Sequence, residues 1–316
     1  MRGLAAAAAI VVVLAPVACG GTGGDGTDAT PTTAAEVIVP PPDARWQYQL
    51  EAARHGHGRT GRIDVGICRP PAGGGACVRP EVIDFDPYLD RRGQTPDTTL
   101  NTRAVDALHD RGGYAICYVD AGSIERYRPD FERFRRWDRS HGGSLLGNPF
   151  SKRFPNEYWA NVGGAGQRKF LLEMMEERTA RCEQAGFDAV EYDVVAAHES
   201  GRRVTGFAVS ARDQLAYNRG LAAIGHDHGL AVGLKNDLSQ ARQLVDDFDF
   251  AINEECAGYD ECGLLKPFVA AGKPVFHVEY TLPPRRFCPQ GERLGFNSIK
   301  KAADYSLRNT PWTPCE

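Results

Sequence analysis

Eight short apolar segments, most separated by a helical stretch and each ending in polar or acidic residues, predict a (β/α)8 TIM barrel in a single domain. They are Trp46–Leu50, Val82–Asp86, Ala115–Asp120, Tyr158–Asn161, Asp188–Asp193, Ala231–Asp237, Phe250–Glu255 and Pro274–Tyr280. Runs buried on both faces and alternating with helices are what a closed parallel sheet requires. The size agrees, because a 316-residue chain less a leader and linker leaves one barrel's worth.

The leader is read from Arg2, the apolar run Leu4 to Val17, and Ala18 before Cys19. A charged start, an apolar stretch too short to span a bilayer and a small residue at the cut predict a signal peptide over 1–18 and export. Cys19 stands where a bacterial lipobox places its lipidated cysteine, so a lipid anchor is expected, with plain secretion as the alternative. Residues 19–42 are Gly, Thr, Ala and Pro with few large side chains and read as a flexible tether. The barrel domain then covers 43–316.

Asp43 to Leu50 opens the barrel, and the Gly/Pro-rich stretch Glu51 to Pro80 reads as an insertion at its mouth. Thr98 to Arg111 is predicted helical, with Thr99 as cap and Gly112-Gly113 as stop. Gln167 to Ala185 follows, presenting Phe170, Leu171, Met174 and Met175 to the sheet and ending at Gly186. Ser210 to His228 begins on Ser210 and Asp213, a capping-box-like start, and ends at Gly229. Gln240 to Asp246, Asp260 to Ala271 and Ser298 to Leu307 supply the later helices.

Eight cysteines remain beyond Cys19, an even number in a chain expected to be exported. Local spacing favours Cys68 with Cys77, Cys256 with Cys262, and Cys288 with Cys315. Cys117 and Cys182 are left, either as a fourth bridge or as buried thiols. No Cys-x2-Cys pair or His partner stands at ligand spacing, so no metal and no cofactor is expected. With a net charge of −4 and no basic stripe interleaved with aromatics, nucleic acid is excluded as a partner.

In a barrel the strand C-termini converge on one mouth, which would gather acids far apart in sequence. On the fifth predicted strand Glu191 and Asp193 share one side, with Val190 and Tyr192 on the other. Glu191 could equally pair with Lys235 or touch substrate. The seventh predicted strand ends Asn253-Glu254-Glu255, of which Glu254 faces the mouth and Glu255 starts the next helix. Glu279 on the eighth is expected at the same mouth, and Lys235-Asn236-Asp237 end the sixth. Paired carboxylates with a lysine between them suit glycosidic bond cleavage, one acid protonating the leaving oxygen and the other attacking or activating water. Trp46, Tyr48, Tyr118, Trp159, Tyr259 and Tyr280 offer ring faces that would suit sugars as well as core packing.

The strings Trp46–Leu50, Ala115–Ser123, Gly186–Asp193, Asp213–Asn218, Val232–Leu238 and Val245–Cys256, with Tyr259–Cys262, together resemble glycoside hydrolase family 114, the endo-α-1,4-polygalactosaminidases. The resemblance implies a barrel that cuts α-1,4-linked galactosamine polymers with Asp193 and Glu254 as the catalytic pair. Tyr118, Asp120, Glu191, Lys235, Asn236, Asn253, Tyr259 and Glu279 are then the expected substrate contacts. Val194, Ala196 and His198 depart from the polar and aromatic residues usual after that aspartate. The expectation is an exported, lipid-anchored, monomeric hydrolase of a cationic amino-sugar polysaccharide. Its alternative is a silent barrel that only binds such a polymer.

Overall fold

A computed structural model describes residues 37–53, 59–60, 62–69, 76–88 and 98–315. The predicted signal peptide, Cys19 and most of the tether lie outside the described residues. Residues 35–316 form one compact unit. Its core is a sheet of eight parallel strands: β1 (Trp46–Gln49), β2 (Val82–Phe85), β3 (Tyr114–Asp120), β4 (Ala189–Asp193), β5 (Ala231–Lys235), β6 (Phe250–Glu254), β7 (Val275–Glu279) and β8 (Asn297–Lys300). A ninth, β9 (Thr313–Pro314), runs antiparallel to β8.

The ring is joined at β1. Trp46 Nε1 donates to the carbonyl of Asn297 at 2.7 Å, and Trp312 Nε1 donates to the carbonyl of Trp46 at 2.9 Å. Residues just before β1 pack here too, since Tyr114 Oη donates to the carbonyl of Ile38 and Asn297 Nδ2 to that of Pro42. Ile38 and Pro42, read from the sequence as part of the tether, thus contact the barrel.

Two predicted elements are corrected. Glu157–Ala160 is the middle of an antiparallel three-stranded sheet with Ser123–Glu125 and Leu146–Pro149, outside the barrel. The eighth barrel strand is Asn297–Lys300, where a helix over 298–307 was expected. Asp193 and Glu254 thus end the fourth and sixth barrel strands.

Strand alternation sorts the core into two layers. Trp46, Val82, Ile116, Ala189, Phe250, Ile252, Phe276 and Ile299 fill the barrel. Val190, Val232, Ala251 and Val275 belong to the outer layer, to which helices α1 (Thr102–His109), α2 (Phe131–Ser140), α3 (Ala165–Ala185) and α4 (Ala211–Asp227) also contribute buried residues. Helix α3 stops at Gly186, whose φ of 85° is open to a residue without Cβ. Helix α4 is capped by Ser210 Oγ, which accepts from the Asp213 N–H. Helix α1 starts at Thr102 with Asn101 in the cap position, two residues beyond the expected cap Thr99.

Four bridges are formed: Cys68–Cys77, Cys117–Cys182, Cys256–Cys262 and Cys288–Cys315. Cys117–Cys182 ties β3 to α3 and both cysteines are fully buried. No described helix is long and apolar enough to cross a membrane.

Candidate active site

The inward positions become polar toward the strand C-termini. Tyr48, Asp84, Tyr118, Glu191, Lys235 and, one step higher, Asp120, Asp193, Glu254 and Tyr280 follow the apolar floor upward. All of them but Asp84 and Glu191, which lie beneath, line an open cleft of about 890 Å³ at that end of the barrel.

Lys235 is its hub. Nζ lies 2.9 Å from Glu191 Oε1, 3.1 Å from Asp193 Oδ1 and 3.6 Å from Glu254 Oε2, and donates to Tyr48 Oη at 2.8 Å. Burial opposes the charge on this lysine, but the carboxylates of Asp193, Glu191 and Glu254 outweigh it and hold the ammonium well above its usual range. Tyr48 relays the network by donating to Glu191 Oε1 at 3.0 Å.

Beneath the hub sit two acids sealed from solvent. Both carboxyl oxygens of Asp84 and Oε2 of Glu191 are buried without a hydrogen-bond partner while both groups are ionised. Burial first, and then the charge of Glu191, push Asp84 well above the usual carboxylate range. A proton kept on Asp84 is the donor that Glu191 otherwise lacks. Burial also raises Glu191, against the pull of Lys235.

Asp193 accepts from three donors: Lys235 Nζ, Tyr118 Oη at 3.0 Å and the Val194 N–H at 2.8 Å. Glu254 accepts from Tyr280 Oη and is the more open of the two, its side chain 31% exposed against 19%. Asn236 Oδ1 accepts from Asn253 Nδ2 and from the Glu254 N–H, and Asn253 Oδ1 accepts from the Cys256 N–H. These two asparagines line the cleft but are turned toward the backbone that carries Glu254. Asp120 accepts from the backbone N–H and hydroxyl of Ser123. Burial, then the charges of Glu125, Glu157 and Asp193, raise its carboxyl well above the ordinary range.

The structure brings together Tyr118, Asp120, Asp193, Lys235, Asn236, Asn253, Glu254 and Tyr259 along this cleft, with Glu191 below them. Glu279 is a correction. It points out of the barrel, fully buried, where Oε1 accepts from the N–H groups of Ala257 and Gly258 and contacts His277 Nε2 at 3.2 Å. Tyr280, one residue on, takes the inward place. Trp46 is also far from any mouth role, lying fully buried among the floor residues.

Sequence reasoning missed the apolar walls. Phe150 and Phe154 line one side from the antiparallel sheet and the loop beside it, together with Trp159, which the sequence did offer as a sugar face, and Tyr305 lines the cleft beside the exposed Tyr259. Arg153 lies 5.5 Å from the ring centres of both Phe154 and Tyr305. Asp237 and Glu199 were also passed over as cleft residues.

A barrel with two carboxylates held across a lysine at the strand C-termini is the arrangement of a glycoside hydrolase. The model of glycoside-hydrolase family GH114 matches residues 27–313, and the chain belongs to that family. No curated protein matches the sequence. Among solved structures, Ega3 of Aspergillus fumigatus in complex with galactosamine superposes with a TM-score of 0.66 at 24% identity, over 90% of this chain and 99% of that one. The glycoside hydrolase domain of PelA from Pseudomonas aeruginosa gives 0.51 at 15% identity, over 86% and 98%. At these identities the likeness is one of fold.

Proposed function

We propose that this glycoside hydrolase cleaves α-1,4-linked galactosamine-containing polysaccharide, with Asp193 as nucleophile and Glu254 as general acid and base. The observation that carries the reading is Lys235 Nζ held between the two carboxylates. Its contacts of 3.1 and 3.6 Å keep the nearest Asp193 and Glu254 oxygens within ~7 Å of each other, which admits the ~5–5.5 Å separation of a retaining pair. Retention of anomeric configuration is the course that goes with Asp193 as nucleophile.

The roles follow from the surroundings. Asp193 faces three donors, which fix its oxygens as a nucleophile aimed at the anomeric carbon. Glu254 opens to the cleft, where it can protonate the departing oxygen and then draw a proton from the incoming water. Tyr280 and Lys235 fix its orientation.

A polymer of deacetylated galactosamine is cationic, and Asp193, Glu199, Glu254 and Glu261 on the cleft wall favour it electrostatically. The Ega3 structure with galactosamine supports the same sugar class. Export rests on the predicted leader and on four bridges in one domain. Intact mass of the mature protein distinguishes an acylated Cys19 from plain secretion.

Incubating the purified protein with defined, partly deacetylated galactosaminoglycan tests the activity. Oligomers of several lengths by mass spectrometry, released with the α anomer first by NMR, are expected. Polymer that binds but never shortens overturns the hydrolase reading in favour of a silent binding barrel.

A further inference from the structure

A second group of donors lies on the cleft wall, apart from the carboxylate pair. The helical turn Ala197–Ser200 follows β4, and the 3-10 turn Leu238–Gln240 follows β5. Between them one donor atom each from His198, Glu199 and Asp237 lies within 4.8 Å of the others. His198 Nε2 is 3.9 Å from Glu199 Oε1, 3.9 Å from Asp237 Oδ1 and 3.1 Å from Ser239 Oγ.

Asp237 gives the group its meaning. Its side chain is fully buried, and Oδ2 accepts from Asn218 Nδ2 at 2.7 Å, yet Oδ1 has no hydrogen-bond partner. It also sits at a φ of 44°, in the left-handed region that aspartate enters more readily than most residues. A sealed acceptor with nothing to accept from points to a missing positive partner. Among the described residues no lysine or arginine pairs with Asp237 or Glu199.

We propose that His198 Nε2, Asp237 Oδ1, Glu199 and Ser239 Oγ form a binding site for a first-row divalent cation of the Zn²⁺ or Mn²⁺ class. An imidazole beside two carboxylates selects such ions over Mg²⁺ and Ca²⁺, which prefer all-oxygen sites. Ligands at about 2.0–2.2 Å from the ion stand roughly 3–3.5 Å from one another. The His198–Ser239 pair already has that spacing. His198 Nε2 stands 3.9 Å from both Glu199 Oε1 and Asp237 Oδ1, and Glu199, with a side chain 46% exposed, is free to move toward the ion.

Protonation is consistent with this site. Burial lowers His198, which leaves its ring neutral and able to ligate, and burial raises Asp237 to about 8 while no ion is bound. A bound cation reverses the second effect and releases a proton. Structurally the ion ties the segment after Asp193 to the loop after Lys235. Sequence gave no sign of it, because His198 and Asp237 lie far apart in the chain.

The test uses the purified chain after chelator treatment, without any polysaccharide, so its outcome is independent of the hydrolase reading. Titration calorimetry with ZnCl2 and MnCl2 should give one ion per chain and a raised melting temperature. Asp237→Asn and His198→Ala should each weaken binding by more than about tenfold, the loss typical of even an outer partner of a metal site. Glu261→Gln, also on the cleft wall, should not. If His198→Ala fails to fold, the nearly isosteric Asp237→Asn decides. Absence of binding in the wild type overturns the site, as does binding that both variants retain. Galactosamine binding that depends on Asp237, with no ion binding, overturns it in favour of an amine subsite.

Discussion

Gly122 and Val194 approach so closely that a Cβ on Gly122 would meet the carbonyl oxygen of Val194 at 1.7 Å. The contact is backbone, so no side chain can swing aside. It is also functional in position, since the N–H groups of Ala121 and Gly122 donate to the carbonyl of Asp193 at 3.0 and 3.1 Å. Gly122→Ala should therefore cost at least the ~1–3 kcal/mol of an overpacked site. Denaturant melts should show that loss, with a fall in turnover because Asp193 is displaced. An alanine variant of full stability and activity would contradict the geometry.

Amide replacement isolates the chemistry. Asp193→Asn and Glu254→Gln keep shape but remove the charge or the proton, and each should lower polymer cleavage by roughly 10²–10⁴-fold. Melting temperatures should stay near wild type. Glu255→Gln should do much less, because Glu255 is held by Tyr305 Oη and lies beside the pair without joining it. Retained cleavage in both amides would move the chemistry elsewhere.

Lys235→Met should be the costliest change in the site. It leaves Glu191 and Asp193 without the ammonium they share, and breaking such a buried pair from one side typically costs about 3–5 kcal/mol. Equilibrium denaturation measures it. Adding Glu191→Gln to that variant should return part of the loss, since the stranded charge is then gone.

Two buried groups should tilt the pH dependence of stability in opposite directions. Asp237 rises from 3.8 to about 8 on folding, so the folded chain holds the extra proton and stability falls as pH climbs through that window. Lys301 drops from 10.5 to about 7, mainly through burial, so stability rises with pH between those values. Asp237→Asn should flatten the fall and Lys301→Met the rise. Melts across pH in the presence of chelator read both slopes. The slopes are decisive rather than the absolute values, because Lys301 Nζ also donates to Gln47 Oε1 at 2.8 Å.

The barrel and its central residues were legible because they follow alternation. Glu191, Asp193, Lys235 and Glu254 come from strands whose parity the sequence marks by flanking apolar residues. Tyr158-Trp159-Ala160 misled because an apolar run signals burial without saying in which sheet, and this one serves the small antiparallel sheet. Asn297-Ser-Ile-Lys300 was passed over because Ile299 is its one apolar residue. Glu279 failed on parity: His277 and Glu279 both face outward into a buried layer, so hydropathy could not separate the faces of that strand. The wall residues Phe150, Phe154 and Tyr305 lie outside the barrel strands, where periodicity carries no information.

The seam at Trp46 fixes when this fold can exist. The first strand finds its last neighbour some 250 positions later, and Trp312 and the Cys288–Cys315 bridge seal that join. Contacts so distant in sequence carry a heavy closure cost and reward it only once both sides are present. A nascent chain halted short of Trp312 leaves the Trp46 carbonyl without its indole donor and β8 without β9. No half of the ring stands complete before the other. Residues 297–315 thus complete the ring that carries Asp193 and Glu254, and truncations within that stretch should lower the melting temperature of the whole barrel.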